Sequence, residues 1–151
     1  MQEEWLIDGT NLLHADSKPK TPLELIHRLA GFASAQKGRG VLLVFDGKVP
    51  PGQWESLASK SLRIESSGDL TADSVIERYL CEHKGRFQFT VVTADRAVVD
   101  MARGSGAHVM SPKEFNLLLN QTEELNKDVL FDQKVKSHGF NRPFRDKLGE
   151  N

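Results

Sequence analysis

The chain has 151 residues, 38% of them hydrophobic and 27% charged, which is the length of one domain with enough apolar content for a packed core. Twenty Lys and Arg against 21 Asp and Glu give a formal charge of −1, which excludes a uniformly basic nucleic-acid binder but leaves room for a local basic face. The single cysteine, Cys81, excludes an internal disulfide and a Cys-rich zinc site, and no run reaches the ~20 apolar residues of a membrane span.

The N-terminus, MQEEWLIDG, has neither the basic start nor the long apolar stretch of a signal peptide, so a soluble, cytoplasmic protein is expected. Trp5-Leu6-Ile7 opens the chain as a first apolar run. Leu23, Ile26, Leu29, Ala30 and Ala33 follow at helical spacing, with Pro22 where a helix would start. Val41 to Phe45 is a second run, and Leu62 to Glu65 a weaker strand. Ala72, Val75, Ile76, Tyr79 and Leu80 then mark a helix, and Cys81 within it is expected to be a buried structural thiol. Phe89 to Ala94 is the third strong run. Val98, Val99 and Ala102 form a short helical pattern, Ala107 to Met110 a last weak strand, and Phe115, Leu118 and Leu119 a final helix behind Pro112. Pro51 is also placed where a helix could begin.

The three strong runs are continuous rather than alternating, as in strands covered on both faces. Strands alternating with helices imply βαβ units. The expected fold is therefore a three-layer α/β/α domain with a mainly parallel central sheet over about residues 1–125. Residues 126–151 carry Lys127, Lys134, Lys136, Arg142, Arg145 and Lys147 among scattered aromatic and aliphatic side chains. They are expected to form a basic C-terminal extension, either an arm that orders on a partner or a segment docked on the domain.

Each strong run ends in an aspartate: Asp8, Asp46 and Asp95. Parallel strands put those three carboxylates on one edge of the sheet, where ligands of open α/β sheets bind. Aspartate after a strand is also an ordinary turn former and helix N-cap, and each position alone supports that explanation. Clustered carboxylates without a counter-ion raise one another's pKa, and a divalent cation relieves the cost. Asp73 and Glu77, four apart, share a helix face at the rim of the apolar stripe. A first-turn acid favouring the helix dipole and a solvated surface acid are their plain alternatives. Asn11, in Asp8-Gly9-Thr10-Asn11, is placed to fold back on a carboxylate or a phosphate. Oxygen-only donors point to Mg²⁺ or Mn²⁺ rather than zinc. The five histidines show no ligand spacing.

These motifs resemble, in order, a known family. Trp5 to His14 is similar to the opening strand and DGxN turn of NYN domains, which belong to the PIN-like nuclease superfamily. Val44-Phe45-Asp46-Gly47 resembles the second acidic motif, Thr71 to Glu77 the helical ADxxIE motif, and Val92-Thr93-Ala94-Asp95-Arg96 the TSDR motif. Ala107 to Phe115 is similar to the last strand and the S-x-x-E-F helix start. The subgroup resembled is the YacP-like NYN family of bacterial proteins, over about residues 4–120. The resemblance implies a metal-dependent endoribonuclease, with Asp8, Asp46, Asp73 and Asp95 as metal-binding acids, Glu77 with them and Asn11 as an accessory. Thr71 stands where several PIN-like nucleases carry another acid. YacP-like relatives include an endoribonuclease that acts on messenger RNA at the ribosome.

On that basis the expected substrate is single-stranded RNA, cut by water to leave 5′-phosphate and 3′-hydroxyl ends. Lys48, Arg63 and Arg96 are expected to hold it, with Lys37, Arg39, Lys60 and Arg103 as further cations near strand ends and Trp54 as a possible base-stacking ring or a packing residue. The rival expectation is a non-catalytic RNA- or ribosome-binding module on the same fold. A haloacid-dehalogenase-type phosphohydrolase needs an Asp-x-Asp pair, which Asp8-Gly9-Thr10 lacks. A flap-nuclease relative needs more chain for its DNA-gripping elements.

Overall fold

The computed structural model describes residues 2–15, 21–48 and 54–137, with side chains described as far as 125. Five strands form one sheet: β1 (Glu3–Asp8), β2 (Arg39–Phe45), β3 (Leu62–Ser66), β4 (Gln88–Val92) and β5 (His108–Met110). Their order is β3-β2-β1-β4-β5 and every neighbouring pair is parallel. All five lie where apolar runs place them. The helices are α1 (Gly9–His14), α2 (Pro22–Ser34), α3 (Ala72–Glu82), α4 (Arg96–Gly104) and α5 (Pro112–Ser137).

Alternation along the strands divides the core into two layers. Trp5, Ile7, Val41, Leu43, Phe45 and Val92 face α2 and the start of α5, where Leu25, Ile26, Leu29, Phe32, Phe115 and Leu119 meet them. Leu6, Leu42, Val44, Phe89 and Val91 face α3 and α4 through Val75, Ile76, Leu80, Val98 and Ala102. Period-2 strands between two amphipathic helical layers give the expected three-layer α/β/α arrangement.

Local chemistry sets the helix starts. Thr21 and Glu24 form a reciprocal capping box ahead of Pro22, and Ser111 and Glu114 do the same ahead of Pro112. The chain turns straight from β1 into α1, a helix that periodicity alone leaves as a loop. Gly9 permits the turn by close approach: a Cβ there would lie 2.8 Å from the Phe45 ring.

Cys81 corrects the expectation of a buried thiol, because it is exposed. It sits four residues after exposed Glu77, one face away from the Ala72, Val75, Ile76 and Leu80 stripe that packs on the sheet. The chain divides into two units, Met1–Leu119 and Asn120–Asn151. The second is described only as the helical stretch that ends at Ser137, so most of the proposed basic extension, and Pro51, lie outside the described residues. Among the described residues no helix is long and apolar enough to cross a membrane.

Candidate metal centre

The strand order reverses between β1 and β4. The chain builds outward from β1 through β2 to β3, then crosses to place β4 on the other side of β1. The carboxyl ends of strands flanking such a switch point form a crevice. Asp8 ends β1 and Asp95 follows β4, one on each side of it.

The aspartates cap helices and also converge. Asp8 is the N-cap of α1, taking the Asn11 N–H at 3.1 Å, and it is only 2% exposed. Asp95 is the N-cap of α4, taking the Val98 N–H at 3.1 Å. Asp46 accepts the Ala72 N–H at 2.7 Å, at the start of α3, where Thr71 caps the following turn. The ordinary N-cap role and the gathering of acids therefore coexist, because each cap lies at a strand's carboxyl end. Asn11 reaches across the switch point: its Oδ1 accepts the Ala94 N–H at 2.8 Å and ties the β1 turn to the β4 turn.

Electrostatics record the convergence. Burial pushes the Asp8 carboxyl above its ordinary value, the Asn11 N–H opposes this, Asp46 adds to it, the Thr10 N–H opposes again, and Asp95 adds a last push. Asp73 is driven further, up to about 6, first by partial burial, then by a carboxyl–carboxyl hydrogen bond with Asp95 and by the charges of Asp95, Asp8 and Asp46. One aspartate thus feels all three others. No ion pair neutralises any of the four among the described residues.

An all-oxygen donor set under mutual repulsion is the chemistry that a hard divalent cation relieves, so the residues fit Mg²⁺ or Mn²⁺ by donor type and charge. As placed, no three His, Cys, Asp or Glu side chains among the described residues stand around a common point at ligand spacing. Glu77 is exposed, one turn beyond Asp73. With Asp73, Ser74, Ala97, Val98 and Met101 it lines a small cleft of about 110 Å³ between α3 and α4.

The cations sort by sheet end. Lys48 follows Asp46-Gly47 and Arg96 follows Asp95. Both are exposed at the aspartate edge, and the Arg96 side chain is 90% exposed with only a loose 3.9 Å approach to Asp100. Arg63 does not reach this edge. It lies opposite Leu42 early in β3, paired with buried Glu4 and donating to the Tyr79 hydroxyl at 2.7 Å, so it leaves the expected set of RNA contacts. Lys37 and Arg39 precede or open β2, Lys60 precedes β3, and Arg103 ends α4, all toward the opposite edge. Arg39 is also held by the Phe32 carbonyl and stacked 4.0 Å from the Phe32 ring. Nearness to a strand in sequence does not say which end a residue occupies. Trp54 packs against the core layer of α2, which is the packing alternative rather than the stacking one.

Thr10 and Ser67 are polar residues at this edge that sequence reasoning passed over. Both are single hydroxyls, Thr10 in the first turn of α1 and Ser67 just after β3, with no spacing to mark them.

The chain is thus an open parallel α/β domain with an acidic switch point and a helix-borne acid beside it. The chain belongs to the family of YacP-like NYN domains, whose family model matches residues 6–150. That fold is nuclease-like and RNA-related. The structure is similar to the crystal structure of Rae1 (YacP) from Bacillus subtilis, with a TM-score of 0.71 at 23% identity over 89% of this chain and 84% of that one. It is similar too to a Trp-to-Leu mutant of the same protein, with a TM-score of 0.70 at 21% identity over 92% and 87%. At these identities the likeness is one of fold. A comparison with curated proteins gave no match.

Proposed function

We propose that this protein is a divalent-metal-dependent endoribonuclease that hydrolyses single-stranded RNA at the aspartate edge. The observation that carries the reading is Asp73, whose carboxyl feels Asp8, Asp46 and Asp95 together while no ion pair reaches any of the four among the described residues. Glu4, an acid the fold uses for structure, has an arginine instead.

Asp8, Asp73 and Asp95 would hold the ion, with Asp46 and Glu77 at its margin and Asn11 fixing the turn between the two central strands. Bound Mg²⁺ or Mn²⁺ would lower the pKa of a water and stabilise charge on the phosphate in flight. The chain's own part is to fix these carboxylates through backbone N–H groups at Asp8, Asp46 and Asp95. Lys48 and Arg96, outside the acidic pocket, would hold the backbone of the RNA on either side, and affinity would fall steeply with salt. Single-stranded RNA suits an open edge because its backbone can bend into it. Messenger RNA on the ribosome is the proposed physiological setting, in the cytoplasm, in keeping with the YacP family.

A labelled single-stranded RNA, alone and on translating ribosomes, tests this with Mn²⁺, Mg²⁺ or EDTA. The expected result is cutting that needs metal and disappears in Asp8→Asn and Asp95→Asn. Absence of cutting by folded wild type in both settings would favour the second reading, a non-catalytic RNA- or ribosome-binding module. That reading draws on the absence of a closed three-ligand arrangement among the described side chains.

A further inference from the structure

The Asp46 turn is held from three sides. The Asp46 N–H donates to the Thr10 hydroxyl at 3.2 Å. The next N–H, of Gly47, donates to the hydroxyl of Ser67 at 2.8 Å. The Asp46 carboxylate accepts the Ala72 N–H at 2.7 Å. Ser67 is itself buried, 6% exposed, and its own N–H closes on the Phe45 carbonyl at 2.9 Å while Gly68 N–H closes on the Gly47 carbonyl at 2.8 Å. Gly47 and Gly68 both take positive φ, at 76° and 61°, so the β2 and β3 exits form two tight turns laced together.

The direction of the bonds gives this lacing a purpose. Thr10 belongs to the first turn of α1, which Asp8 caps, Ser67 to the exit of β3, and Ala72 is the residue before Asp73. The Asp46-Gly47 turn is the node that joins all three, through Asp46 to Thr10 and Ala72 and through the Gly47 N–H to Ser67. A shift of Asp46 would move the first turn of α3, and with it the Asp73 carboxyl, relative to Asp8 and Asp95. Burying a hydroxyl such as that of Ser67 is favourable only where it has a partner, and its partner here is a backbone N–H beside an acid of the site.

We propose that Thr10 and Ser67 are positioning residues. Their hydroxyls latch the Asp46 turn, and Asp46 acts through Ala72 to set α3 so that Asp73 meets Asp8 and Asp95. The proposal deepens the nuclease reading and rests on it for its metal-binding half, whereas the latch itself does not depend on it.

The test uses the full chain as wild type, Thr10→Val, Thr10→Ser and Ser67→Ala. Thr10→Val keeps the shape and removes the acceptor, and Thr10→Ser restores it. Amide hydrogen exchange of metal-free protein is read at Ala72, with Leu43 in the core of β2 as the control for global unfolding. Mn²⁺ affinity is read separately from the signal of free Mn²⁺. In Thr10→Val and Ser67→Ala, Ala72 is expected to exchange about five- to tenfold faster with Leu43 unchanged. Mn²⁺ is expected to bind about tenfold more weakly in both, as for other residues that orient ligands. Thr10→Ser should return both readings to wild type.

Ala72 exchange that follows Leu43, or does not change, overturns the latch whatever the metal does. Faster Ala72 exchange with unchanged Mn²⁺ affinity overturns the positioning role and leaves a packing contact. If wild type binds no Mn²⁺ and cuts no RNA while the Ala72 coupling is present, the nuclease reading fails and the positioning role fails with it, with the latch itself standing.

Discussion

The two ends of the sheet treat acids in opposite ways. At the amino end, Glu4 is 7% exposed and paired with Arg63, with Tyr79 donating to the same carboxylate at 3.3 Å. Glu3 beside it lies 3.6 Å from Arg39. The register even leaves space for this pair, because Gly40 stands opposite Glu4 and a Cβ there would strike the Glu4 carboxylate. At the carboxyl end, Asp8 is more deeply buried at 2%, and four aspartates gather with backbone N–H groups and no ion pair among the described residues. Among the described residues, the protein's own arginines pair with the acids of one edge and with none of the aspartates of the other.

The largest effect should come from discharging the carboxyl edge. Asp8→Asn and Asp95→Asn should each lower metal-dependent RNA cleavage by at least about 100-fold, with the fold retained, since both asparagines can still cap their helices. Circular dichroism beside the cleavage assay separates the two outcomes.

The next largest effect should come from breaking the amino edge. Arg63→Met leaves Glu4 buried without its partner and should cost about 2 kcal/mol in urea unfolding, less than for a fully buried pair because Arg63 is 35% exposed on its side chain. Cleavage by the folded fraction should be unaffected, since Arg63 lies away from the aspartates. A loss of cleavage larger than the loss of folded protein would return Arg63 to the RNA-binding set.

A smaller effect sharpens the contrast through pH. The Asp73 carboxyl is raised from 3.8 in its ordinary state to about 6 in the fold. The folded state therefore binds the proton more tightly, and metal-free protein loses stability as pH climbs between those values, the loss being complete above about 6. Asp73→Asn removes that cost. It should stabilise the metal-free protein at pH 7, by under about 1 kcal/mol because the carboxyl is partly exposed and screened, and make no difference at pH 4. Thermal melts at the two pH values check the sign. Added Mn²⁺ should raise the melting temperature of wild type at pH 7 and do less for the variant. The smallest effect belongs to Cys81→Ser, which should stay within about 0.5 kcal/mol of wild type because the thiol is exposed.

The strands were legible because their apolar runs are continuous, and Pro22 and Pro112 mark helix starts that the structure keeps. The aspartates were legible as a group because strand direction carries them to one edge. Helix α1 was hidden because it has only six residues and opens on Gly9 straight after Asp8, which reads equally as a turn. Arg63 was misplaced because its partner, Glu4, lies 59 residues away on a strand that is not its neighbour. Cys81 was misplaced by a single residue's rotation, about 100° around α3 from buried Leu80. Thr10 and Ser67 left no trace because a hydroxyl that holds a backbone N–H depends on three-dimensional closure.

The bond between Asn11 and Ala94 spans 83 residues of chain. A chain growing from its N-terminus has β1, β2 and β3 complete by Ser66, yet β1 still lacks its neighbour β4. Such long-range closure comes late in folding. Until β4 inserts beside β1, the first aspartate of the edge stands without the last, and one side of β1 offers unpaired backbone groups to any strand nearby. The arrangement that would cut RNA is thus withheld from an unfinished chain, and the interval before β4 arrives is when that chain is most exposed to mispairing.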